Sequence, residues 1–314
     1  MTYIGHEQAW DSWTRATKGQ RMHHAWLLAG KKGLGKAGFA QAAARRLLGA
    51  GTELHPDILS LTYGAKDDKE ERKRADGKAY ESARSIRIAQ VRAMQRRLTT
   101  KPTLGDRRIV IIDAADDLER NAANALLKSL EEPPQGTTFL LITHRPARLL
   151  PTIRSRCRTL RFPSLSDQVM DELLRDLAPD AEAETRTAAV KAAAGSPGAA
   201  ISFVRMDLGE AATLMSSILK EGDRGFALRG ALAGVIGARP DRDRLQAVLD
   251  LARSTLAEEV EQASRDPSPL IDAHGELVRL TAEQPIFNYD AGLLAMEIGT
   301  LLAKAGAASA SVDA

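Results

Sequence analysis

Residues Gly30-Lys31-Lys32-Gly33-Leu34-Gly35-Lys36-Ala37 have the types and spacing of a phosphate-cradling loop. In a G-x-x-x-x-G-K-[ST] loop, backbone N–H groups surround phosphate oxygens, the lysine reaches the outer phosphates and the hydroxyl ligates Mg²⁺. The first seven positions fit, but the eighth is Ala37, which has no oxygen to offer a metal. Asp113, at the end of the apolar run Ile109-Val110-Ile111-Ile112, suits the same chemistry, because a carboxylate there can hold Mg²⁺ through water. The neighbouring position, where a second carboxylate would activate the attacking water, is Ala114. General-base catalysis contributes about 10²–10⁴ in rate. Losing both the base and the hydroxyl ligand predicts a nucleotide fold that no longer turns over. Binding of ATP or ADP without hydrolysis stays open, because Gly30, Gly33, Gly35, Lys36 and Asp113 remain. A helix-start turn on an α/β scaffold would carry the same glycines.

These residues need a scaffold, and the apolar pattern supplies one. Ala25–Ala29 reads as a buried strand running into the glycine loop, and Phe39 to Leu48 as the helix that follows it. Residues 58–61, 109–112, 138–143 and 158–162 read as further strands, with helices over 5–17, 86–98 and 118–130. Continuous β-branched runs alternating with helices predict a parallel α/β sheet buried on both faces. The charged stretch 64–82, almost without large apolar side chains, reads as an exposed, mobile loop. After Pro163 the strand pattern stops. Everything beyond is helical, with breaks expected at Gly222, Pro240, Pro267/Pro269 and Pro285, and with fraying after Ala305. The reading is α/β followed by all-α, in three domains: α/β over 1–163, a small helical domain over 164–206 and a larger one over 207–314.

Composition narrows the function classes. The 314 residues include 44 basic and 41 acidic side chains, for a net charge of +3. That balance conceals segregation: residues 66–108 carry a local +7 and residues 207–314 a local −7. Within the basic segment Arg84, Arg87, Arg92, Arg96 and Arg97 form an arginine-rich face suited to phosphate backbones, though a solvated helix face looks the same in sequence. Aromatic interleaving for single-strand stacking is absent. One cysteine excludes a disulfide framework and suits a reducing cytoplasm. No run approaches the ~18 apolar residues of a membrane span, and the first residues lack a basic-then-apolar signal pattern.

Longer stretches carry a family resemblance. They are His24 to Gly30 leading into the loop; Asp113 to Asp116; Asn121-Ala122-Ala123-Asn124-Ala125-Leu126-Leu127-Lys128-Ser129-Leu130-Glu131-Glu132-Pro133-Pro134; Thr143-His144-Arg145-Pro146; and Leu149 through Ser155-Arg156-Cys157-Arg158. Together they resemble the clamp-loader AAA+ family, in the delta-prime branch of bacterial DNA polymerase III. The resemblance is dense over 20–163, weaker through Gly195–Ala200, and beyond 207 rests on length and helical character alone. It implies an AAA+ domain, a helical lid and a helical collar, and adds Thr143 to the nucleotide-contact candidates. It implies that Arg156 acts in trans as an arginine finger on ATP held by a neighbouring subunit. Partners implied are motor (gamma/tau-type) and delta-type subunits and, indirectly, the sliding clamp and primer–template DNA, in the cytoplasm. Without the resemblance, Arg156 would read as a structural arginine paired with an acidic neighbour, and Cys157 as a packed thiol.

The chain departs from the family pattern in places. The motor subunits' complete G-K-[ST] and Asp-Glu pair are missing, as is the lid-helix arginine in Gly195–Ala200. The Cys-rich zinc module often found before the His-Pro-Asp segment is replaced by six residues between Leu48 and His55, so no structural zinc is expected. Two rival classes are a free-standing AAA+ ATPase such as a branch-migration motor, which would need the missing groups, and a DNA-binding adaptor of repair or recombination using 66–108 without partners.

Overall fold

The computed structural model describes residues 5–19, 22–51, 55–263, 266–287 and 289–310. They divide into two compact units, Met1–Ser164 and Leu165–Ala314.

The first unit runs α1 (Glu7–Lys18), β1 (Ala25–Ala29), α2 (Lys36–Leu48), β2 (Ile58–Leu61), α3 (Asp68–Ala75), α4 (Ile88–Leu98), β3 (Arg108–Ile112), α5 (Arg120–Glu131), β4 (Thr137–Thr143), α6 (Pro151–Arg154) and β5 (Arg158–Arg161). The five strands form one parallel sheet in the order β2-β3-β4-β1-β5. Side chains alternate across it with the strand period of two. Trp26, Leu28, Ile109, Ile111, Leu140 and Ile142 pack with Trp13, Phe39 and the alanines of α2. Leu27, Val110, Ile112, Phe139 and Leu141 pack with Val91, Met94, Leu126 and Leu130 of α4 and α5. A sheet covered on both faces needs apolar side chains at successive positions, which is why its central strands read as unbroken apolar runs. Each such side chain, fully buried, contributes about 1.5–3 kcal/mol.

Register aligns the strand ends. Ala29 lies beside Thr143, and Ile112 beside Leu141. The loops after β1, β3 and β4 therefore open on one edge, outside the carboxyl ends of the strands, where open parallel sheets bind ligands.

The expected loop over 64–82 contains a helix instead. In α3 the Asp67 side chain accepts from Glu70 N at 2.9 Å, acidic residues fill the first turn and basic ones the last. Capping and alignment with the helix dipole stabilise a helix without an apolar face. The Glu70 carboxylate is buried, accepting from Glu81 N at 2.7 Å and from Lys73 Nζ at 2.7 Å, which ties the two ends of the segment together.

The second unit is all helical: α7 (Asp167–Leu177), α8 (Ala183–Ala192), α9 (Pro197–Arg205), α10 (Gly209–Glu221), α11 (Ala227–Ile236), α12 (Arg242–Gln262), α13 (Ser268–Phe287) and α14 (Ala291–Ala310). One apolar cluster runs from Leu165 to Ala305. The backbones of α10 and α14 approach so closely that a Cβ at Gly306 would lie 1.7 Å from the Leu219 carbonyl oxygen. Two expectations are corrected. Pro285 does not break α13, which continues two residues beyond it to Phe287. Nor does the chain fray at Ala305, since Ala305 and Leu302 are buried in the core and α14 continues to Ala310; the remainder of that tail, 311–314, lies outside the described residues. No helix of the described residues is long and apolar enough to cross a membrane.

Candidate functional site

Gly30 follows β1, and its N–H donates to Thr143 O at 3.3 Å. A Cβ on Gly30 would lie 2.3 Å from Phe162 O, so the chain leaving β5 excludes any side chain there. Gly33 and Gly35 turn the loop with φ of +84° and +74°, the left-handed region that glycine enters without strain. Lys36, the first residue of α2, is 3% exposed and turns back over the loop, its Nζ donating to Gly30 O at 2.7 Å and to Lys31 O at 2.5 Å. Burial lowers its pKa to about 8, against the opposing pull of Asp113 and Asp116. An ammonium has three protons, and these two bonds leave one for a ligand.

Asp113 follows β3, its N–H donating to Leu61 O at 2.9 Å. Burial raises its carboxyl pKa, and nearby Lys36 opposes the rise. Thr143 is wholly buried, and its Oγ1 has no hydrogen-bond partner; His144 Nδ1 is likewise buried and unpartnered. Burial, then the positive charge of Lys36, lowers the His144 pKa to about 4, so its ring is neutral near pH 7. The structure thus brings Gly30, Gly33, Gly35, Lys36, Asp113 and Thr143 to one edge of the sheet, where α2 begins and its helix dipole presents its positive end. That arrangement suits a phosphate-type anion. The two unpartnered side-chain atoms fit a polar ligand, since buried polar groups are normally paired. Neither the hydroxyl nor the second carboxylate of a complete motif is present: Ala37 is an exposed methyl and Ala114 a buried one.

Two residues shape this edge beyond the motif residues, His6 and Asp116, and a third, Asp57, anchors the opposite, amino edge at the starts of β2 and β3. His6 is buried and donates from Nε2 to Leu34 O at 2.8 Å, with its ring edge-on to Phe162 at 4.8 Å, which fastens the glycine loop to the chain ahead of α1. Asp116 accepts from His144 N and Arg145 N, both at 3.1 Å, and so ties the turn after β3 to the turn after β4. Asp57 is completely buried, accepts from Thr103 N and Leu104 N at 2.7 Å each, and pairs with Arg108 Nη2 at 3.3 Å. Asp116 was visible as part of a motif and Asp57 as part of His-Pro-Asp. His6 gave no signal, because its partner is 28 residues away.

Arg156 occupies the turn between α6 and β5. Its Nη1 donates to Thr152 O at 2.9 Å, and its Nη2 pairs with Glu131 Oε1 at 2.6 Å. β5 starts at Arg158, beside Trp26 near the start of β1, so Arg156 lies at the amino edge of the sheet. Its own glycine loop lies at the carboxyl edge, about 13 Å further along the strand direction at about 3.3 Å per residue. Cys157 packs against the core beside Ile153, and burial pushes its thiol pKa up to about 12, which keeps it an unreactive thiol.

A model of the family described as DNA polymerase III, delta subunit matches residues 5–166, just over half of the chain. The chain belongs to this family. Among curated relatives, the protein named DNA polymerase III subunit delta' of Pseudomonas aeruginosa is 35% identical over 199 residues, which is 57% of this chain and 55% of the relative. Its namesake in Bacillus subtilis is 35% identical over 170 residues, 51% of this chain and 48% of the relative. DNA polymerase III subunit tau/gamma of Haemophilus influenzae is 29% identical over 174 residues, 54% of this chain and 25% of the relative. The chain therefore spans about half the length of the first two and a quarter of the third.

Within the family-matched region the basic face is smaller than its sequence suggested. α4 starts at Ile88, so Arg84 and Arg87 precede it and only Arg92, Arg96 and Arg97 belong to the helix. All five are exposed. Arg87 donates to Lys66 O at 2.6 Å and Arg97 to Pro56 O at 3.3 Å, so both help hold neighbouring chain in place. Among the described residues no three His, Cys, Asp or Glu side chains are grouped to hold a metal ion.

Proposed function

We propose that this chain is a non-hydrolysing, delta-prime-type subunit of a clamp loader, which helps open a ring-shaped sliding clamp and load it on primed DNA. The observation that carries this reading is the polarity of the α/β unit. Its phosphate loop lacks a metal-ligating hydroxyl and a carboxylate at 114, while Arg156 lies half-buried at the far edge of the sheet. An arginine there cannot reach the chain's own loop, but it can reach nucleotide on a neighbouring subunit. A rigid, always-charged fork stabilises developing γ-phosphoryl charge, worth about 10³–10⁵ in rate in related enzymes.

On this reading the partners are motor subunits of gamma/tau type and a delta-type subunit, which accords with the similarity to a subunit named tau/gamma. Residues 164–206 serve as a lid and 207–314 as a collar through which subunits join. Gly30, Gly33, Gly35, Lys36, Asp113 and Thr143 form a degenerate nucleotide site able to bind ATP or ADP without turnover, and the role requires no cofactor of its own. Arg84, Arg87, Arg92, Arg96 and Arg97 contact the phosphates of primer–template DNA.

The test is reconstitution of the loader with wild-type and Arg156→Ala chains. The variant should assemble normally by size-exclusion chromatography, yet lose DNA-stimulated ATP hydrolysis at the adjoining site in single-turnover measurements. Unchanged hydrolysis would reject the assignment of Arg156.

A further inference from the structure

Glu131 has no part in the phosphate loop, in the sheet or in the exposed basic face. It is the last residue of α5, followed by Glu132 and the two rigid residues Pro133 and Pro134. A carboxylate at that position meets the negative end of the helix dipole and is disfavoured without a cation. Its cation is Arg156, at 2.6 Å. Both side chains are partly open to solvent, 48% and 35% exposed, so the pair faces outward.

The scaffold under the pair is rigid. Leu126 and Leu130 of α5 share a buried cluster with Leu149 and Ile153 around α6. Arg156 N donates to Ile153 O at 3.1 Å, and Cys157 N to Arg154 O at 3.2 Å, closing the turn that presents Arg156. His24 Nε2 donates to Leu130 O at 2.9 Å, fastening the end of α5 that presents Glu131. The guanidinium is then gripped at two points, by the Thr152 carbonyl on Nη1 and the Glu131 carboxylate on Nη2. A guanidinium has five N–H donors, so two such bonds leave donors for an incoming phosphate oxygen.

We propose that Glu131 is a positioning residue for Arg156: it locks the guanidinium in the rotamer that meets a neighbour's nucleotide. This rests on the reading of Arg156 as a trans-acting arginine. An exposed arginine without such a clamp samples many rotamers, and ordering it would fall on the transition state. Preorganised donors avoid that cost. Ordering one rotamer-rich side chain corresponds to about a threefold to tenfold rate effect.

The experiment uses the reconstituted loader with Glu131→Ala, Glu131→Gln, Arg156→Ala and the double variant Glu131→Ala/Arg156→Ala. It measures kcat and KM for DNA-stimulated ATP hydrolysis, and assembly by size-exclusion chromatography. Glu131→Ala should lower kcat about threefold to tenfold at unchanged KM and unchanged assembly. Glu131→Gln keeps an oxygen acceptor and should recover most of the rate. The double variant should be no slower than Arg156→Ala alone. The proposal is overturned if Arg156→Ala is slow while Glu131→Ala matches or exceeds wild type, if Glu131→Ala slows the Arg156→Ala background further, or if the loss comes with failed assembly. An Arg156→Ala loader that hydrolyses ATP normally would instead remove the trans-arginine reading, and this proposal with it.

Discussion

Asp57→Asn perturbs the most deeply buried carboxylate of the α/β unit while keeping its shape. Asp57 is 0% exposed and its partner Arg108 is 3% exposed. One carboxylate accepts from Thr103 N and Leu104 N at 2.7 Å each and from Arg108 Nε and Nη2 at 3.4 and 3.3 Å. Asparagine keeps one oxygen but turns an NH₂ group toward a set of donors, and it strips Arg108 of its counter-charge. Breaking a buried ion pair from one side costs about 3–5 kcal/mol. Arg108 still donates to the Thr100 and Lys101 carbonyls at 3.0 and 2.8 Å, which favours the lower end, about 3 kcal/mol. For a unit of this size ~1 kcal/mol moves Tm by 2–4 °C, so a fall of about 6–12 °C is expected.

Thermal unfolding and hydrogen exchange at the Thr103 and Leu104 amides would read both effects, with faster exchange in the variant. Acid should bring the stabilities of the two proteins closer together. Burial raises the Asp57 carboxyl pKa, but the two amides and Arg108 outweigh it, and the group titrates below the usual carboxylate range. Its unfolded pKa is about 3.9. The stabilisation is therefore present above that value and lost as pH falls through the lower folded pKa, so the wild-type advantage should shrink in that window. A stability loss below about 1 kcal/mol with unchanged exchange at both amides would refute the claim that this pair anchors the segment after α4.

Other outcomes follow from the same structure. Asp116→Ala leaves His144 N and Arg145 N without their acceptor, so it should cost about 2–3 kcal/mol in urea denaturation and speed exchange at both amides; protected amides would show that the turn after β4 holds itself. Reversing charge at Arg96 and Arg97 should weaken primer–template binding by the reconstituted loader and flatten the slope of log affinity against log salt by about 0.9 per lost phosphate contact. An unchanged slope would mark these side chains as a solvated face.

Much of the site was legible in the linear pattern because it depends on residue identity at neighbouring positions. That position 37 carries no hydroxyl and position 114 no carboxylate is readable whatever fold the loop occupies. The runs 25–29, 109–112 and 139–142 announced the strands because a sheet covered on both faces leaves its central strands no polar side. α3 was missed because its stability comes from caps and charge order, while the search for helices followed apolar periodicity. The continuation of α14 was missed because burial of Leu302 and Ala305 outweighs the low complexity of the tail.

The sequence by itself determined the α/β-then-helical order, the phosphate loop and what that loop lacks, since these follow from local side-chain chemistry. Only the tertiary structure decided that His6 fastens the loop from 28 residues away, that Asp57 meets Arg108 across 51, and that Arg156 finds Glu131 rather than its own phosphate site. The reason is strand order. Parallel strands linked through helices put residues distant in the chain at a common edge, and put Gly30 and Arg156 at opposite ends of neighbouring strands β1 and β5. No local pattern encodes which strands become neighbours, because that is settled by packing both faces of the sheet at once.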